Sequence, residues 1–349
     1  MGLGLECHMP NPSALLTWEP ITLRLCHPFR LSYGTSEMRR VFWLRLVGDA
    51  GWGEAAFPPY YGVKESEIFA LWQEAAQCTK PLPDIPDEVS RWVGENGPAP
   101  GRAALDMALH DRIARQQGVP LYRILGLPPP PPLPTSFTIA IAEPEEMARL
   151  AGQAAAYPIL KIKLGSDDDL ARLAAVRAAR PDARLRVDAN ASWSRDDAME
   201  RIRVLEPLGL ELIEQPLPKD DFAGLGYLQA HTELPIVADE SLQNFADLEK
   251  LAAAGVRAIN LKLMKVGGLA PALRMLRRAR ELGMRVMLGC MIETSLGITA
   301  MAHLASLADW LDLDAPLLVA NDPFDGVLYD NQARVHLPNR PGIGVVRRR

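Results

Sequence analysis

Short apolar segments alternate with helical patterns through the second part of the sequence, and this alternation constrains the fold more than any other feature. Strand-like segments lie at 137–141, 160–164, 185–188, 211–214, 236–239, 259–263, 286–288 and 310–313. Residues at four successive segment ends, Asp188, Glu214, Asp239 and Lys265, are 25 or 26 positions apart, which is the length of one strand, one helix and two loops. Strands that alternate with helices predict an α/β fold with a parallel sheet, and eight such units close into a (β/α)8-type barrel.

The residues before this repeat have a different pattern. Strand-like segments at 21–25 and 41–47 precede a helical segment at 65–77, and another helix is expected just after Pro100. Five consecutive prolines at 128–132 form a stiff, extended run that cannot be helix interior. We therefore predict an N-terminal α+β domain at 1–128, the barrel at 129–321, and a C-terminal segment at 322–349 that returns to the N-terminal domain.

Composition argues against several classes of function. The net charge of −5 leaves no basic excess for binding nucleic acid or an anionic membrane surface. The four cysteines are far apart and form no C-x-x-C pair, so neither a zinc site nor a disulfide framework is indicated. Apolar runs are shorter than a membrane span, and the N-terminus lacks the pattern of a signal peptide. We expect a soluble cytoplasmic protein, and a homo-oligomer is left open.

Charged residues cluster at the carboxyl ends of the predicted barrel strands, although buried strands should be apolar. They are Lys161, Lys163, Asp188, Glu214, Asp239, Lys265, Glu293, Asp312 and Asp314. The carboxyl ends of all strands meet at one face of a barrel, which is where active sites lie. Any single one of these residues could be a loop-capping carboxylate or a solvated lysine, but their shared position in the repeat favours one site.

Three of these carboxylates follow consecutive strands. Asp188, Glu214 and Asp239 would repel one another, and the repulsion would raise their pKa values unless a cation lay between them. An all-oxygen ligand set without Cys or His favours a hard ion, with Mg²⁺ as the first choice. We predict one Mg²⁺ per subunit that keeps positions open for water or substrate. A hydrated structural Mg²⁺ or Ca²⁺ is the alternative.

Lysines flank this predicted metal site. Lys163 precedes the metal strands and Lys265 follows them, so the two are expected to face each other across the metal. Near a dication and partly desolvated, a lysine has a lowered pKa, and its neutral amine can act as a base. Removal of a proton next to a carboxylate needs strong positive charge, which Mg²⁺ and the ammonium group of Lys161 would supply. Two bases on opposite faces would invert the carbon.

At these positions the sequence resembles the enolase superfamily, in its muconate-lactonizing subgroup. The matching motifs are Lys161-Ile162-Lys163, Asp188-Ala189-Asn190, Glu214-Gln215-Pro216, Asp239-Glu240-Ser241 and the segment from Asn260 to Lys265. The resemblance implies a modified TIM barrel, (β/α)7β, with an N-terminal capping domain. It also implies that Asp188, Glu214 and Asp239 bind the metal, that Lys163 and Lys265 form the acid/base pair, and that Lys161 assists. The mandelate-racemase subgroup is disfavoured because its base, a His after the seventh strand, has no counterpart at 289–293.

The pair Asp312 and Asp314 narrows the expected activity. It is similar to the Asp-x-Asp motif of the dipeptide epimerases, and two carboxylates on one face of an extended segment suit the ammonium group of a dipeptide. Strand-end capping is the alternative interpretation. N-acylamino-acid racemase, o-succinylbenzoate synthase and cycloisomerase activities use the same lysines and metal and remain open. A barrel metallohydrolase would want His ligands, and a non-catalytic barrel would not need both lysines.

Two loops are expected to close over the barrel mouth, at 29–37 and 55–62. The Ala-Glu epimerases that the sequence resembles carry an arginine just before a threonine in the first loop, but here Gly34 precedes Thr35. The second loop is apolar and aromatic. Residues expected to contact substrate are Phe29, Thr35, Tyr60, Cys290, Met291, Ile292, Asp312 and Asp314. An uncharged pocket rejects a charged side chain, so we predict a preference for small or hydrophobic dipeptides. Alternatively, the aromatic residues pack the two domains together.

Overall fold

The computed structural model describes residues 15–31, 34–165 and 168–348, apart from the side chain of Tyr60. The N-terminal part begins with an antiparallel sheet in the order β1-β2-β3. Its strands are β1 (Leu16–Leu31), β2 (Gly34–Leu46) and β3 (Trp52–Ala56). The helices that follow are α1 (Glu65–Ala76), α2 (Pro86–Val93), α3 (Ala99–Gln116) and α4 (Leu121–Ile124).

Helix α3 packs on this sheet because two glycines let strand β3 approach it closely. A Cβ atom on Gly53 would lie 1.9 Å from the carbonyl oxygen of Ala104, and one on Gly51 would lie 2.1 Å from that of Ala108. Phe42, Trp72 and Leu105 are buried in the resulting apolar core. A larger residue at position 51 or 53 would therefore push the sheet away from the helix.

The segment predicted as a loop at 29–37 lies instead mostly in strands. Strands β1 and β2 continue past an irregularity between Arg24 and Phe29, and they pair Phe29 with Ser36 and Arg30 with Thr35. Residues 32 and 33 lie outside the described part of the chain. Cross-strand backbone hydrogen bonds hold this extension, and they do not require the apolar alternation from which the sequence analysis located strands.

Parallel strands form the second sheet, and they follow one another in chain order. They are β4 (Phe137–Ile139), β5 (Ile159–Lys163), β6 (Arg184–Asp188), β7 (Leu210–Glu214), β8 (Ile236–Ala238), β9 (Ala258–Leu261), β10 (Arg285–Gly289) and β11 (Trp310–Asp312). A parallel bridge joins Thr135 to Leu311, and the Ser136 N–H donates to the Leu311 carbonyl at 3.2 Å. These contacts bring the first and last strands together, which confirms the predicted eight-stranded barrel.

Helices follow the barrel strands. They are α5 (Pro144–Gln153), α6 (Asp169–Ala179), α7 (Arg195–Leu205), α8 (Phe222–Ala230), α9 (Phe245–Ala253), α10 (Leu263–Val266), α11 (Leu269–Glu281), α12 (Ser295–Ala302) and α13 (Ala315–Leu318). The helix after the eighth strand is a single turn, in agreement with the (β/α)7β form. Within the described ranges, no helix has both the length and the apolar character needed to cross a membrane.

The C-terminal segment contains short strands and contacts the N-terminal part. They are β12 (Phe324–Asp325), β13 (Leu328–Tyr329), β14 (Val335–His336) and β15 (Val346–Arg347). The ring of Phe324 lies 5.1 Å from that of Trp43, and the Ile343 N–H donates to Asp111 at 2.7 Å. These contacts attach the end of the chain to the first sheet and to α3. The exact domain boundaries stay a prediction.

Candidate active site

The barrel brings the predicted site residues together at the carboxyl ends of consecutive strands. Lys161 and Lys163 lie on β5, Asp188 ends β6, Glu214 ends β7, and Asp239 directly follows β8. The strand register pairs Lys163 with Asp188 and Asp188 with Glu214, so these residues lie at one level of the barrel. All five are buried, and none is more than 7% exposed. Charges desolvated to this degree must compensate one another.

Lys161 lies at the centre of this charged group. Its Nζ atom is 3.0 Å from Asp188 Oδ2, 2.7 Å from Glu214 Oε2 and 2.7 Å from Asp312 Oδ2. Burial opposes the charged form, but the carboxylates outweigh it and raise the pKa of Lys161 well above its ordinary value. These carboxylates therefore favour the ammonium form of Lys161, which suits it to stabilise negative charge more than to accept a proton.

Lys163 and Lys265 contact different carboxylates. Lys163 Nζ lies 2.7 Å from Asp188 Oδ2 and 3.3 Å from Asn190 Oδ1. Lys265, on α10, donates to Asp239 Oδ1 at 2.5 Å and to the Asn260 carbonyl at 3.0 Å. Burial lowers the pKa of Lys265 below its ordinary value, although the carboxylate of Asp239 opposes that change. A lysine with a lowered pKa is easier to use as a neutral base.

The three strand-end carboxylates differ in their protonation. Burial alone would raise the pKa of Asp188, but the ammonium groups of Lys161 and Lys163 hold it well below its ordinary value. Lys262 and Lys265 do the same for Asp239. Glu214 is less well compensated, because burial and the neighbouring Asp188 raise its pKa to about 8. In this arrangement Glu214 holds a proton at neutral pH.

The donor chemistry of Asp188, Glu214 and Asp239 fits a hard cation. All three present oxygen donors in a buried site, and the raised pKa of Glu214 reflects burial and the nearby Asp188, which the ammonium group of Lys161 only partly offsets. Their oxygens are arranged around lysine ammonium groups, and among the described residues no three His, Cys, Asp or Glu side chains form a ready metal-binding group. The lysines thus neutralise the carboxylates that the sequence analysis assigned to the metal.

A cavity opens between the barrel face and the N-terminal part. The predicted contact residues Phe29, Cys290, Met291, Ile292, Asp312 and Asp314 line it, together with Lys161, Lys163 and Asp239. Thr35 is exposed on β2 and does not belong to this lining, because its pairing with Arg30 carries it to the tip of the hairpin. The side chain of Tyr60 lies outside the described part of the chain. Lys265 is hydrogen-bonded to Asp239 but is not among the lining residues.

Comparison with known proteins places this architecture in a family. Residues 145–348, more than half of the chain, match the family model described as Enolase C-terminal domain-like. The chain belongs to the enolase superfamily. This confirms the resemblance that the strand-end motifs predicted.

Relatives of this enolase-superfamily chain are similar over nearly its whole length. The L-Ala-D/L-Glu epimerase of Bacteroides thetaiotaomicron is 36% identical over 338 residues, which are 95% of this chain and 88% of the relative. The hydrophobic dipeptide epimerase of Roseobacter litoralis is 37% identical over 346 residues, covering 94% and 98%. The structure of a dipeptide epimerase from Enterococcus faecalis V583, complexed with Mg and L-Leu-L-Tyr, superposes with a TM-score of 0.88 at 30% identity, covering 95% and 99%.

Several lining residues of this enolase-superfamily site were not named as substrate contacts from sequence. Leu31, Phe57, Pro58 and Tyr61 lie in the two loops that were expected to close over the barrel mouth, and the others are Arg39, Thr138, Asn190, Glu240, Lys262 and Leu318. Asn190, Glu240 and Lys262 lie inside the motifs already quoted. Their closeness in sequence to Asp188, Asp239 and Lys265 could have indicated that they line the site. Arg39 carried no such signal, because it lies in a polar stretch of β2 without clear alternation.

The two aspartates after the eighth strand have different partners. Asp312 accepts hydrogen bonds from Lys161 at 2.7 Å and from the Ser136 hydroxyl at 2.6 Å. Asp314 accepts one from the Thr138 N–H at 2.7 Å, and burial together with Asp312 raises its pKa to about 6. The backbone leaves the extended conformation at Asp314, which precedes α13, yet both residues line the cavity. Of these two aspartates, Asp314 is therefore the one whose ionised form an added cation would stabilise more.

Proposed function

We propose that this chain is a dipeptide epimerase that inverts the α-carbon of the C-terminal residue by two-base proton transfer. The observation that carries the proposal is the position of Lys163 and Lys265 at different strand-end carboxylates of one buried site, with Asp314 lining the adjoining cavity. The names of the relatives support the substrate class, since the Bacteroides and Roseobacter proteins are dipeptide epimerases by name.

In this proposal Asp188, Glu214 and Asp239 hold one Mg²⁺. The Enterococcus structure, which is complexed with Mg, supports the identity of the metal, and the all-oxygen donor set supports these three residues as its ligands. When bound, Mg²⁺ supplies positive charge beside the substrate carboxylate, which lowers the cost of forming an enediolate.

Proton transfer falls to the lysines. One neutral amine, on Lys163 or Lys265, takes the α-proton, and the electron pair of the broken C–H bond delocalises into the carboxylate to give the enediolate. The other lysine, as an ammonium group, returns a proton to the opposite face. Lys161 stays charged throughout and stabilises the enediolate oxygens. Lys262 lines the cavity, but Asp239 raises its pKa well above the ordinary value against the effect of burial, so Lys265 is the better base.

The free amino terminus of the substrate is expected to pair with Asp314. N-acetylation of a good dipeptide substrate should lower kcat/KM, by an amount equivalent to a rise of about 2–5 kcal/mol in activation free energy, the usual range for a buried charge that loses its partner. The Asp314→Asn variant should lose most of this discrimination between the free and the acetylated substrate. Asp312→Asn is the matched control: it removes a partner of Lys161 and should slow both substrates alike.

An acetylated substrate that turned over faster than the free dipeptide would favour the N-acylamino-acid racemase activity. Loss of discrimination in Asp312→Asn, with Asp314→Asn unchanged, would assign the amino terminus to the other aspartate.

Small or hydrophobic side chains are expected at the reacting residue. The apolar part of the cavity wall includes Phe29, Leu31, Phe57, Met291 and Ile292. Such a wall distinguishes two apolar substrate side chains by roughly 1–3 kcal/mol for each methylene by which they differ. Incubation with Ala-Ala, Ala-Leu, Ala-Phe, Ala-Glu and Ala-Lys in D₂O with Mg²⁺ should give inversion and a mass gain of one deuteron. We expect the highest kcat/KM among the apolar dipeptides.

One observation favours a second candidate substrate, a dipeptide with an acidic side chain. Arg39 also lines the cavity, and its guanidinium group is suited to bind a carboxylate. The Arg39→Met variant separates the two. If the substrate is apolar, the variant should keep the order of the dipeptides. If Ala-Glu is best in the unmodified protein and loses its advantage in Arg39→Met, the hydrophobic preference is wrong and the arginine selects the side chain.

A further inference from the structure

The segment that carries Lys265 is fastened to the N-terminal part of the chain. We propose that Asp106, on helix α3, is a positioning residue for Lys265. This inference rests on the proposed role of Lys265 as one of two bases, and it assigns to the N-terminal part a direct influence on one of them.

Lys265 lies on a short element that cannot hold its own geometry. Helix α10 spans four residues between β9 and α11, and a single helical turn is unstable without external contacts. Its neighbour Met264 accepts a weak hydrogen bond at Sδ from the Ala56 N–H of β3, at 3.4 Å. The orientation of α10 therefore depends on what fixes it at either end.

Asp106 fixes the end of this segment that leads into α11. Its Oδ1 atom accepts a hydrogen bond from the Leu269 N–H at 2.5 Å, and the Ala270 N–H lies 3.4 Å from both carboxylate oxygens. The residue at the N-cap position of α11 is Gly268, which has no side chain to cap the helix. Asp106 thus supplies from another part of the chain the acceptor that the free N–H groups of α11 require.

The fit between Asp106 and this segment is close. Gly268 has φ +119, and a Cβ atom there would lie 2.5 Å from Asp106 Cβ. Asp106 is 1% exposed, and His110 Nδ1 lies 3.3 Å from its Oδ1 atom, so the carboxylate has little freedom to move. A shift of Asp106 would be transmitted through Gly268 to α10 and to the Lys265 side chain.

The contacts of the other proposed base lie within the barrel. Lys163 lies on β5, which pairs with β4 and β6 inside the barrel, and its Nζ atom contacts Asp188 and Asn190. A loss of the Asp106 contact should therefore impair proton transfer by Lys265 and spare transfer by Lys163. A residue that merely stabilises the fold would impair both equally.

Helix α3 offers a matched control at Asp111. It is also fully buried, and it accepts backbone hydrogen bonds from the Ile343 N–H at 2.7 Å and the Trp52 N–H at 2.9 Å. These partners lie in the C-terminal segment and in β3, away from the residues that lead from Lys265 into α11. Asp111→Ala therefore removes a buried carboxylate of the same helix without touching that segment.

The experiment measures α-proton exchange with D₂O from each epimer of one dipeptide, for the unmodified protein and each variant. Lys265→Ala identifies the epimer whose exchange requires Lys265. Asp106→Ala should slow exchange from that epimer by roughly 10–100-fold relative to the other, the scale expected for a reacting group displaced by about 1 Å. Asp106→Asn, which keeps an acceptor oxygen, should restore part of the loss. Asp111→Ala should leave the ratio of the two rates unchanged.

Equal slowing from both epimers in Asp106→Ala, or the same shift of the ratio in Asp111→Ala, would overturn the inference. If Asp106→Ala does not fold by circular dichroism, Gly268→Ala replaces it, and an unchanged ratio there would overturn the inference as well. Failure of the proposed function is distinguished by Lys265→Ala itself: if that variant exchanges both epimers normally, Lys265 is not a base, whatever the Asp106 variants do.

Discussion

Replacement of either Lys163 or Lys265 with alanine is expected to abolish epimerisation and to leave α-proton exchange from one epimer. In the proposed mechanism each lysine acts on one face of the α-carbon, so removal of one base should stop inversion without stopping exchange at the other face. Acid/base groups contribute roughly 10²–10⁴-fold each, and epimerisation needs both. Lys163→Ala and Lys265→Ala should therefore exchange opposite epimers, as measured by deuterium incorporation in D₂O.

Lys262→Ala is the control for this experiment. Lys262 lines the cavity, and its Nζ atom lies 2.7 Å from Asp239. Its raised pKa disfavours the neutral amine that a base requires. The Lys262→Ala variant should therefore slow exchange from both epimers to a similar degree. If Lys262→Ala lost one epimer while Lys265→Ala kept both, the base after the sixth strand would have been assigned to the wrong lysine.

The barrel was predictable because its signal is repeated. Eight apolar segments at regular spacing located every barrel strand within a few residues. The charges at the strand ends indicated which face of the barrel carries the candidate site. The strand ladder then required Lys163, Asp188 and Glu214 to meet, since they share one register. Family motifs and barrel geometry therefore pointed to the same residues independently.

The N-terminal contribution to the cavity was less predictable. Thr35 and Arg39 lie four positions apart on β2, yet the structure exposes the first and brings the second into the cavity lining. The two positions differ by an even number, so strand alternation alone does not distinguish them. Likewise, the segment after Lys265 is hydrogen-bonded through the Leu269 N–H to Asp106, which lies 159 positions before Lys265 in the sequence, and no local pattern around Lys265 indicates that contact.

Removal of divalent metal with EDTA is expected to abolish activity, and added Mg²⁺ should restore it. Without the cation, only the lysines would supply positive charge to the forming enediolate. Loss of one such stabilising group typically costs roughly 10²–10³-fold in kcat. Binding to the folded chain should also raise its thermal midpoint, since a ligand at 100 times its Kd contributes about 2.7 kcal/mol to the free energy of unfolding. Full activity in a metal-stripped sample would exclude the metal assignment.

Glu214 gives this prediction a pH dependence. Burial and Asp188 raise its pKa to about 8 in the folded, metal-free chain, against an ordinary value of 4.5. Between these values the folded chain binds more protons than the unfolded chain, so the contribution of Glu214 to stability should fall as pH rises from about 4.5 to 8. A metal ligand must be deprotonated; Mg²⁺ binding near pH 7 should therefore release a proton from Glu214, and affinity should increase toward pH 8.

Calorimetric titration with Mg²⁺ in two buffers of different ionisation enthalpy measures that proton release directly. The Glu214→Gln variant is the matched control, because it keeps the size and an oxygen donor but has no proton to lose. It should bind Mg²⁺ more weakly and without the proton released from Glu214, and its thermal midpoint should respond little to Mg²⁺. Proton release as large in Glu214→Gln as in the unmodified protein would assign the titrating group to another residue, and Glu240, whose pKa burial and Asp239 raise to about 7, would be the next to test.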